Sequence, residues 1–337
     1  MELLKKFHTV CLDQLTSGML MCSELLKGLM KYRLGHNLQF ISKLKEETSE
    51  KTVEGMKYAI ENPLILLQKS GVVKFSDGYK ISFNEKNKKS ILAVIYFALS
   101  NGIRFGEGKF QWKFDQIKGI IETHQGIKFS VKNVGLLDET FLYETHFSGF
   151  DIENKTVVTG GAYIGDTPLY YSYYGARVFG FEPDPNSFML AKKNISLNPD
   201  LEKNITLTNY AIGKDSMVNF PINEDSGVSS IFETKNRKTV NVRSVSISTI
   251  LDEFEIKNPY LLDLDIKGAE FDIINDESIS NFKKVRLEYS PYILHNEKKL
   301  YTLVDKLKDY GFVKSRIYKH YPLRFDLINH GTIYAEK

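Results

Sequence analysis

Three glycines and a glutamate are the residues whose types and spacing best fit a defined chemistry. The stretch TVVTGGAYIGDT runs from an apolar segment at Thr156 through Gly160, Gly161 and Gly165 towards a predicted helix. Glycines at the carboxyl end of a strand allow the main chain to lie against a ligand. The next apolar segment, VFGFEPDP, ends at Glu182 about twenty residues later, where a carboxylate can accept hydrogen bonds from both ribose hydroxyls. Together these features predict a bound nucleoside.

The composition of the turn separates two classes of nucleoside ligand. A pyrophosphate is bound by a GxGxxG turn at a helix N-terminus without negative charge. Here the turn reads GGAYIGD, so Asp166 would place a carboxylate against the phosphates. A ligand with an uncharged ribose and a cationic sulfonium tolerates that carboxylate. The turn therefore favours S-adenosylmethionine over a dinucleotide.

Alternating strands and helices must position these residues. From about residue 151, apolar runs of four to seven residues alternate with helical segments, which is typical of a doubly wound α/β sheet. The predicted strands are Thr156–Gly160, Arg177–Phe181, Ile205–Asn209, Tyr260–Asp265, Lys284–Glu288, Phe312–Ile317 and Thr332–Ala335, and the predicted helices are Thr167–Tyr174, Asn186–Asn194, Glu270–Ile274 and Lys298–Tyr310. The last two strands are expected to form an antiparallel hairpin.

Residues 1–125 have a different pattern. Apolar residues at intervals of three and four predict amphipathic helices over residues 2–33, with an apolar stripe that serves as core or as a homodimer contact. Further predictions are a short helix over Leu64–Ser70, a hairpin of Val72–Ser76 and Tyr79–Phe83 with Asp77-Gly78 as a two-residue turn, and a helix over Ile91–Leu99 that Ser90 opens. Helix, hairpin and nearby lysines would fit a winged-helix nucleic-acid module. We favour a small α+β lid, dimerisation or substrate domain with a solvated lysine edge.

Composition excludes several classes of protein. The 337 residues are 42% hydrophobic and 12% aromatic, which excludes a disordered chain, and the net charge of +3 does not indicate a nucleic-acid or membrane partner. The two cysteines, Cys11 and Cys22, form neither a disulfide framework nor a metal cluster, so no metal site is expected. Because there is no signal peptide and no run of about 18 apolar residues, we expect a cytoplasmic protein without membrane insertion.

The region from about residue 126 to the C-terminus resembles the FkbM-type S-adenosylmethionine-dependent methyltransferases. The resemblance lies in GAYIGDT, FEPDP followed by AKKNISLN, NYAIG, SGVSSIF, SVSISTIL and DLDIKGAE. It implies a Rossmann-like class I methyltransferase sheet with a smaller N-terminal α+β domain. Most members of the family methylate hydroxyl groups on sugars, polyketides or related small molecules.

The resemblance also implies roles for individual residues. The expected cofactor-binding residues are Thr159, Gly161, Ala162, Tyr163, Gly165, Glu182, Pro183, Asn209 and Ala211. Of these, Glu182 would hold the ribose, while Asn209 would lie beside the adenine or, alternatively, cap a strand. Asp265 would stand at the reaction centre as a base or orienting group, and His295 is the second candidate for a base.

The sequence departs from the family pattern at three positions. Thr159 stands where the first strand normally ends in an acidic residue that helps fix the methionine amino group. Asp263 and Lys267 replace a lysine and a glutamate. A salt bridge between Asp263 and Lys267 would preserve a structural role, but the exchange would not preserve a catalytic lysine.

These observations predict an N-terminal domain of residues 1–125, a connecting segment of 126–150 that closes over the cofactor, and a methyltransferase domain of 151–337. The expected function is S-adenosylmethionine-dependent methylation of a hydroxyl on a small molecule or carbohydrate. One alternative is a degenerate, non-catalytic nucleoside-binding or scaffold protein. The other is an RNA or DNA methyltransferase that uses the winged-helix-like module, although no tetrapeptide of the Asn-Pro-Pro-Tyr type supports it.

Overall fold

A computed structural model describes residues 60–101, 103–106, 111–131, 134, 137, 140–141, 151–222, 238–266, 269–289, 299–319 and 331–337. The chain divides into two compact units, Met1–Asp138 and Glu139–Lys337. The helices predicted for residues 2–33, with Cys11 and Cys22, lie outside the described residues.

The described part of the first unit is a small α+β structure. It contains a 3-10 helix (Pro63–Leu67), the hairpin β1 (Gly71–Lys74) and β2 (Lys80–Phe83), helix α1 (Lys88–Asn101), and the antiparallel strands β3 (Lys113–Asp115), β4 (Ile120–Glu122) and β5 (Lys128–Ser130). Its core is apolar and aromatic, with Phe97 and Trp112 in ring contact at 5.4 Å. The predicted α+β character is therefore present.

Three local predictions in this unit need correction. The segment predicted as the helix Leu64–Ser70 is a 3-10 turn that ends at Leu67. The hairpin loop has three residues rather than two, because Phe75 and Tyr79 are already hydrogen-bonded and Gly78 adopts a positive φ of 87°. Helix α1 begins at Lys88, ahead of the predicted start at Ser90. The preceding turn is closed by a hydrogen bond from the Lys88 N–H to the Asn84 carbonyl oxygen. In addition, the main-chain N–H groups of Asn84 and Asn87 each donate to the side-chain oxygen of the other residue.

The second unit is built on a seven-stranded sheet in the order β14-β15-β13-β12-β6-β7-β8. Its strands are β6 (Thr156–Gly160), β7 (Arg177–Phe181), β8 (Ile205–Thr208), β12 (Pro259–Leu264), β13 (Lys284–Tyr289), β14 (Lys314–Lys319) and β15 (Gly331–Glu336). Neighbouring strands from β8 to β13 are parallel, and β15 is antiparallel to both β13 and β14. This is the doubly wound, Rossmann-like α/β sheet that the sequence predicted.

Helices and a second small sheet complete this unit. The helices are α2 (Asp166–Tyr173), α3 (Pro185–Ser196), α4 (Pro199–Glu202), α5 (Ile247–Glu253), α6 (Glu270–Ile273) and α7 (Lys299–Asp309), with a 3-10 helix at Glu277–Asn281. The strands β9 (Ala211–Ile212), β10 (Ser216–Pro221) and β11 (Thr239–Val245) form the order β10-β11-β9. Strands β6, β12 and β13 are buried over most of their length, as expected for parallel strands covered on both faces. In the described part of the chain no helix is both long and apolar enough to cross a membrane.

Candidate active site

The glycine turn joins β6 to α2 at the carboxyl edge of the central sheet. The N–H groups of Gly161 and Ala162 both donate to the carbonyl oxygen of Phe181, at 3.0 Å each, so the turn is bound to the end of β7. Gly161 has a φ of 79°, and a Cβ at this position would lie 2.0 Å from the carbonyl oxygen of Asp265. The glycine is therefore needed because the main chain after β12 approaches it. This packing is a second reason for the glycine, beside the predicted approach of a ligand to the main chain, and Gly161 stays a predicted cofactor-binding residue.

Gly165 also makes room for the protein itself. Its φ is 84°, and a Cβ would lie 3.2 Å from the Cα of Ala191 in α3. Because Gly165 is the residue before α2, close packing between the turn and α3 sets the position at which α2 begins. The glycines thus shape the turn by protein packing.

Glu182 lies at the end of β7 with its carboxylate turned inward, and it is only 6% exposed. One carboxylate oxygen, Oε2, accepts a hydrogen bond of 2.7 Å from the N–H of Tyr163, and Oε1 accepts one of 2.9 Å from the N–H of Asp184. Tyr163 adopts a positive φ of 42°, which is unusual for a residue with a side chain. The strained turn thus directs a main-chain donor at the carboxylate.

The environment of Glu182 favours the protonated form of its carboxyl group. Burial raises its pKa from 4.5 to about 8; the main-chain N–H groups of Asp184 and Tyr163 act in the lowering direction, and the charges of Asp184 and Asp265 raise it further. In the described part of the chain no Lys, Arg or His forms an ion pair with Glu182. Each oxygen accepts one main-chain N–H and keeps a further lone pair for a ligand hydroxyl.

The loops beside Glu182 are fixed by Asn209. Its side-chain amide donates to the carbonyl oxygens of Glu182, at 2.7 Å, and of Pro183, at 3.1 Å. Of the two predicted roles, capping the strand end is the one with contacts in the structure. Ala211 is 5% exposed and pairs with Ser244 in the small sheet.

Asp265 follows β12 and lies next to the glycine turn. Its N–H donates to the carbonyl oxygen of Gly160 at 3.0 Å, and its carbonyl oxygen packs against Gly161. Its charge makes a minor contribution to the raised pKa of Glu182. The structure thus brings together the glycine turn, Glu182 and Asp265, whose roles towards a ligand stay predictions. His295 lies outside the described residues.

Comparison with known proteins identifies the domain that carries this site. Residues 160–314 match the model of the methyltransferase FkbM domain. These residues are a methyltransferase domain of the FkbM family. No curated protein sequence matches the chain.

Solved methyltransferase structures are similar to the FkbM domain and its surroundings. An FkbM methyltransferase from Methylobacillus flagellatus KT is 17% identical, and the match covers 74% of this chain and 60% of that protein, with a TM-score of 0.41. Precorrin-6y C5,15-methyltransferase from Geobacter metallireducens GS-15 is 14% identical over 55% of this chain and 81% of that one, with a TM-score of 0.33. Magnesium protoporphyrin IX methyltransferase from Synechocystis PCC 6803 is 12% identical over 56% of this chain and 72% of that one, with a TM-score of 0.31.

The FkbM domain also contains a buried ion pair that sequence reasoning missed. Asp263 and Arg286 lie directly opposite each other on β12 and β13, with 2.5 Å between Oδ1 and the guanidinium. The hydroxyl of Tyr171 donates to the other oxygen of Asp263 at 2.7 Å, and Glu288 lies 3.4 Å from the guanidinium. Asp263 and Arg286 are each 1% exposed. This pair is structural.

Two of the three departures from the family pattern can now be placed. Thr159 is buried and lies opposite Asp263 in the sheet register, so a buried carboxylate is present on the neighbouring strand. That carboxylate is already held by Arg286 and Tyr171. Lys267, the predicted salt-bridge partner of Asp263, lies outside the described residues. Among the described residues, Arg286 is the cation that pairs with Asp263.

Proposed function

We propose that this protein transfers the methyl group of S-adenosylmethionine to a hydroxyl group of a small molecule or carbohydrate. The observation that carries the proposal is the inward carboxylate of Glu182, which the glycine turn and Asp184 orient through two main-chain hydrogen bonds. The ionised form of this buried carboxyl group has no cation partner among the described residues, so further hydrogen-bond donors from a ligand would stabilise it. A ribose diol supplies two.

The residues of the site fit an adenosyl ligand. Glu182 would accept the ribose hydroxyls, and the turn from Gly161 to Gly165 would lie along the rest of the molecule at the carboxyl end of β6. Tyr163 would hold Glu182 in place through its N–H. When bound, S-adenosylmethionine supplies an electrophilic methyl group on a sulfonium.

Asp265 is the residue that we assign to the acceptor. It follows β12, and its N–H donates to the carbonyl oxygen of Gly160 at the start of the glycine turn. A carboxylate in this position would orient the acceptor hydroxyl and accept its proton as the methyl group is transferred. In an Asp265→Asn variant we expect kcat to fall by about 100-fold to 10,000-fold. Affinity for S-adenosylhomocysteine, the demethylated product, should change little by comparison.

Calorimetry tests the cofactor part of the proposal. Titration of the full chain with S-adenosylmethionine and S-adenosylhomocysteine should show saturable binding, and saturating ligand should raise the melting temperature. Absence of both heat and thermal stabilisation at millimolar ligand would refute it. Glu182→Gln is the matched variant, since it keeps the shape of the side chain and removes its ability to ionise.

The acceptor part needs a separate measurement. Incubation with methyl-labelled S-adenosylmethionine and a library of hydroxyl compounds should yield a labelled ether. Normal cofactor binding without transfer to any acceptor would favour the non-catalytic alternative, which the sequestered Asp263 and the threonine at position 159 support.

The lysines of the first unit bear on the nucleic-acid alternative. Lys69 pairs with Glu85 and Lys74 with Glu61, both at 2.9 Å. Partly neutralised lysines supply less of the positive potential that drives phosphate binding. We therefore expect gel-shift titration to show no salt-sensitive binding of RNA or DNA, and such binding would restore this alternative.

A further inference from the structure

Two residues that precede the FkbM match contact the helix after the glycine turn. Thr140 and Phe141 lie about twenty residues before residue 160, where the match begins. Thr140 is fully buried, and its hydroxyl donates to Oδ2 of Asp166 at 2.7 Å. Asp166 is the first residue of α2 and is 7% exposed. The contact therefore joins the preceding segment to the start of that helix.

A second contact strengthens this connection. The ring of Phe141, which is 1% exposed, packs edge-on against Tyr170 with 5.9 Å between ring centroids. Tyr170 lies one helical turn after Asp166, so the hydrogen bond and the ring contact hold the same first turns of α2. An edge-to-face aromatic pair adds directional packing to the area that it buries.

The start of α2 is tightly coupled to Glu182. Gly165, which precedes Asp166, donates its N–H to the carbonyl oxygen of Ala162 at 2.7 Å, and Tyr163 donates its N–H to Glu182 at 2.7 Å. Only a few residues therefore separate Thr140's partner from the group that orients the carboxylate. The positive φ of Tyr163, a residue with a side chain, is unfavourable by itself and persists because surrounding contacts hold the turn in this form.

We propose that Thr140 is a positioning residue of the cofactor site, which acts through Asp166 to hold the glycine turn in the conformation that binds the adenosyl ligand. This inference rests on the proposed function. A hydrogen bond from a buried hydroxyl to a carboxylate is stronger than one between neutral groups, and it fixes the direction of the carboxylate as well as its position. Thr140 thus adds to the methyltransferase domain a functional contact that lies before the family match.

The test compares two losses of a hydrogen bond on the same helix. Thr140→Val removes the bond to Asp166 and keeps the shape of the side chain. Ser172→Ala is the control, because Ser172 is 3% exposed and its hydroxyl donates to the carbonyl oxygen of Leu201 at 2.9 Å near the far end of α2. Both variants should melt at a somewhat lower temperature. Only Thr140→Val should weaken binding of S-adenosylhomocysteine, by about tenfold in calorimetric Kd.

Rescue and amide exchange complete the experiment. Thr140→Ser, which keeps the hydroxyl, should bind with nearly wild-type affinity. The amide of Tyr163 should exchange about tenfold faster in Thr140→Val than in wild type, and at an unchanged rate in Ser172→Ala.

The outcomes separate the inference from the proposed function. Wild-type affinity in Thr140→Val, or equal losses of affinity in Thr140→Val and Ser172→Ala, would overturn the positioning role. If the wild-type chain itself does not bind S-adenosylhomocysteine, the proposed function fails. Exchange at Tyr163 then decides whether Thr140 holds the turn: faster exchange in Thr140→Val supports that role, and an unchanged rate refutes it.

Discussion

Binding of an adenosyl ligand should release a proton from Glu182. The pKa of this carboxyl is raised to about 8 by burial, so at pH 7 only about a tenth of the free protein carries an ionised Glu182. A ribose diol donates hydrogen bonds, which favours the carboxylate over the carboxylic acid. Complex formation at pH 7 should therefore release about 0.9 protons per site.

The same equilibrium sets the pH dependence of affinity. Because the ligand binds the ionised form, the apparent Kd is the intrinsic Kd divided by the ionised fraction. That fraction rises from about 1% at pH 6 to about 50% at pH 8, so affinity for S-adenosylhomocysteine should increase by about fifty-fold over this range. Calorimetry at pH 7 in two buffers with different ionisation enthalpies measures the released proton directly.

The stability of the free protein should fall with rising pH, whereas the affinity for the ligand rises. Because the folded-state pKa of Glu182 lies above the unfolded value, the folded state holds a proton that the unfolded state has lost between pH 4.5 and about 8. The contribution of Glu182 to the free energy of unfolding should thus fall by up to about 1.4 kcal/mol per pH unit in this window.

Two variants isolate this contribution. Glu182→Gln should lose the proton release, the pH dependence of affinity and the Glu182 contribution to the pH dependence of the free energy of unfolding. Glu202→Gln, at an exposed position on α4, is the control and should retain all three. Proton-neutral binding at pH 7 in the wild type, or the same pH dependence in Glu182→Gln, would refute the assignment of Glu182 as the ribose ligand.

The remaining predictions concern packing around the site. Gly161→Ala should lower the free energy of unfolding by more than about 3 kcal/mol in urea titration, because the added Cβ would meet the Asp265 carbonyl oxygen. The control Gly78→Ala has a similar φ but open space around it, and it should lower the free energy of unfolding by only about 1 kcal/mol. Equal losses in the two variants would contradict the packing argument. Arg286→Met should lower the free energy of unfolding by about 3 to 5 kcal/mol, because it leaves Asp263 buried without its cation. The double variant Arg286→Met/Asp263→Asn should lose less stability than the sum of the two single variants. Strict additivity would contradict the coupling between the two residues.

Sequence patterns predicted the parts of the fold that depend on local order. The bounds of β6 and β7 agree with the prediction because each is a short apolar run bounded by residues that end strands. The placement of Glu182 followed from the same pattern, since a residue directly after a buried strand lies at the edge of the sheet. The antiparallel pairing of β14 and β15 is likewise confirmed.

Contacts that depend on strand order and register were not predictable in this way. Arg286 lies opposite Asp263 only because β12 and β13 are neighbours with that particular register. The sequence of one strand suggested Lys267 as the partner of Asp263, because only residues near in sequence can be compared without knowledge of strand order. The approach of the Asp265 carbonyl to Gly161 also joins segments about a hundred residues apart. The contact of Thr140 with Asp166 had no sequence signal at all.

Two buried carboxylates of the methyltransferase domain differ in how they are compensated, and the difference separates structure from function. Asp263 is saturated by Arg286 and Tyr171, so its charge is stabilised by the fold, and a ligand would gain little by approaching it. Glu182 has main-chain donors but no cation among the described residues, and its ionised form is disfavoured in the free protein. Under the proposed function a ligand completes this arrangement, because its hydroxyl groups donate the further hydrogen bonds that the ionised carboxyl group lacks in the free protein.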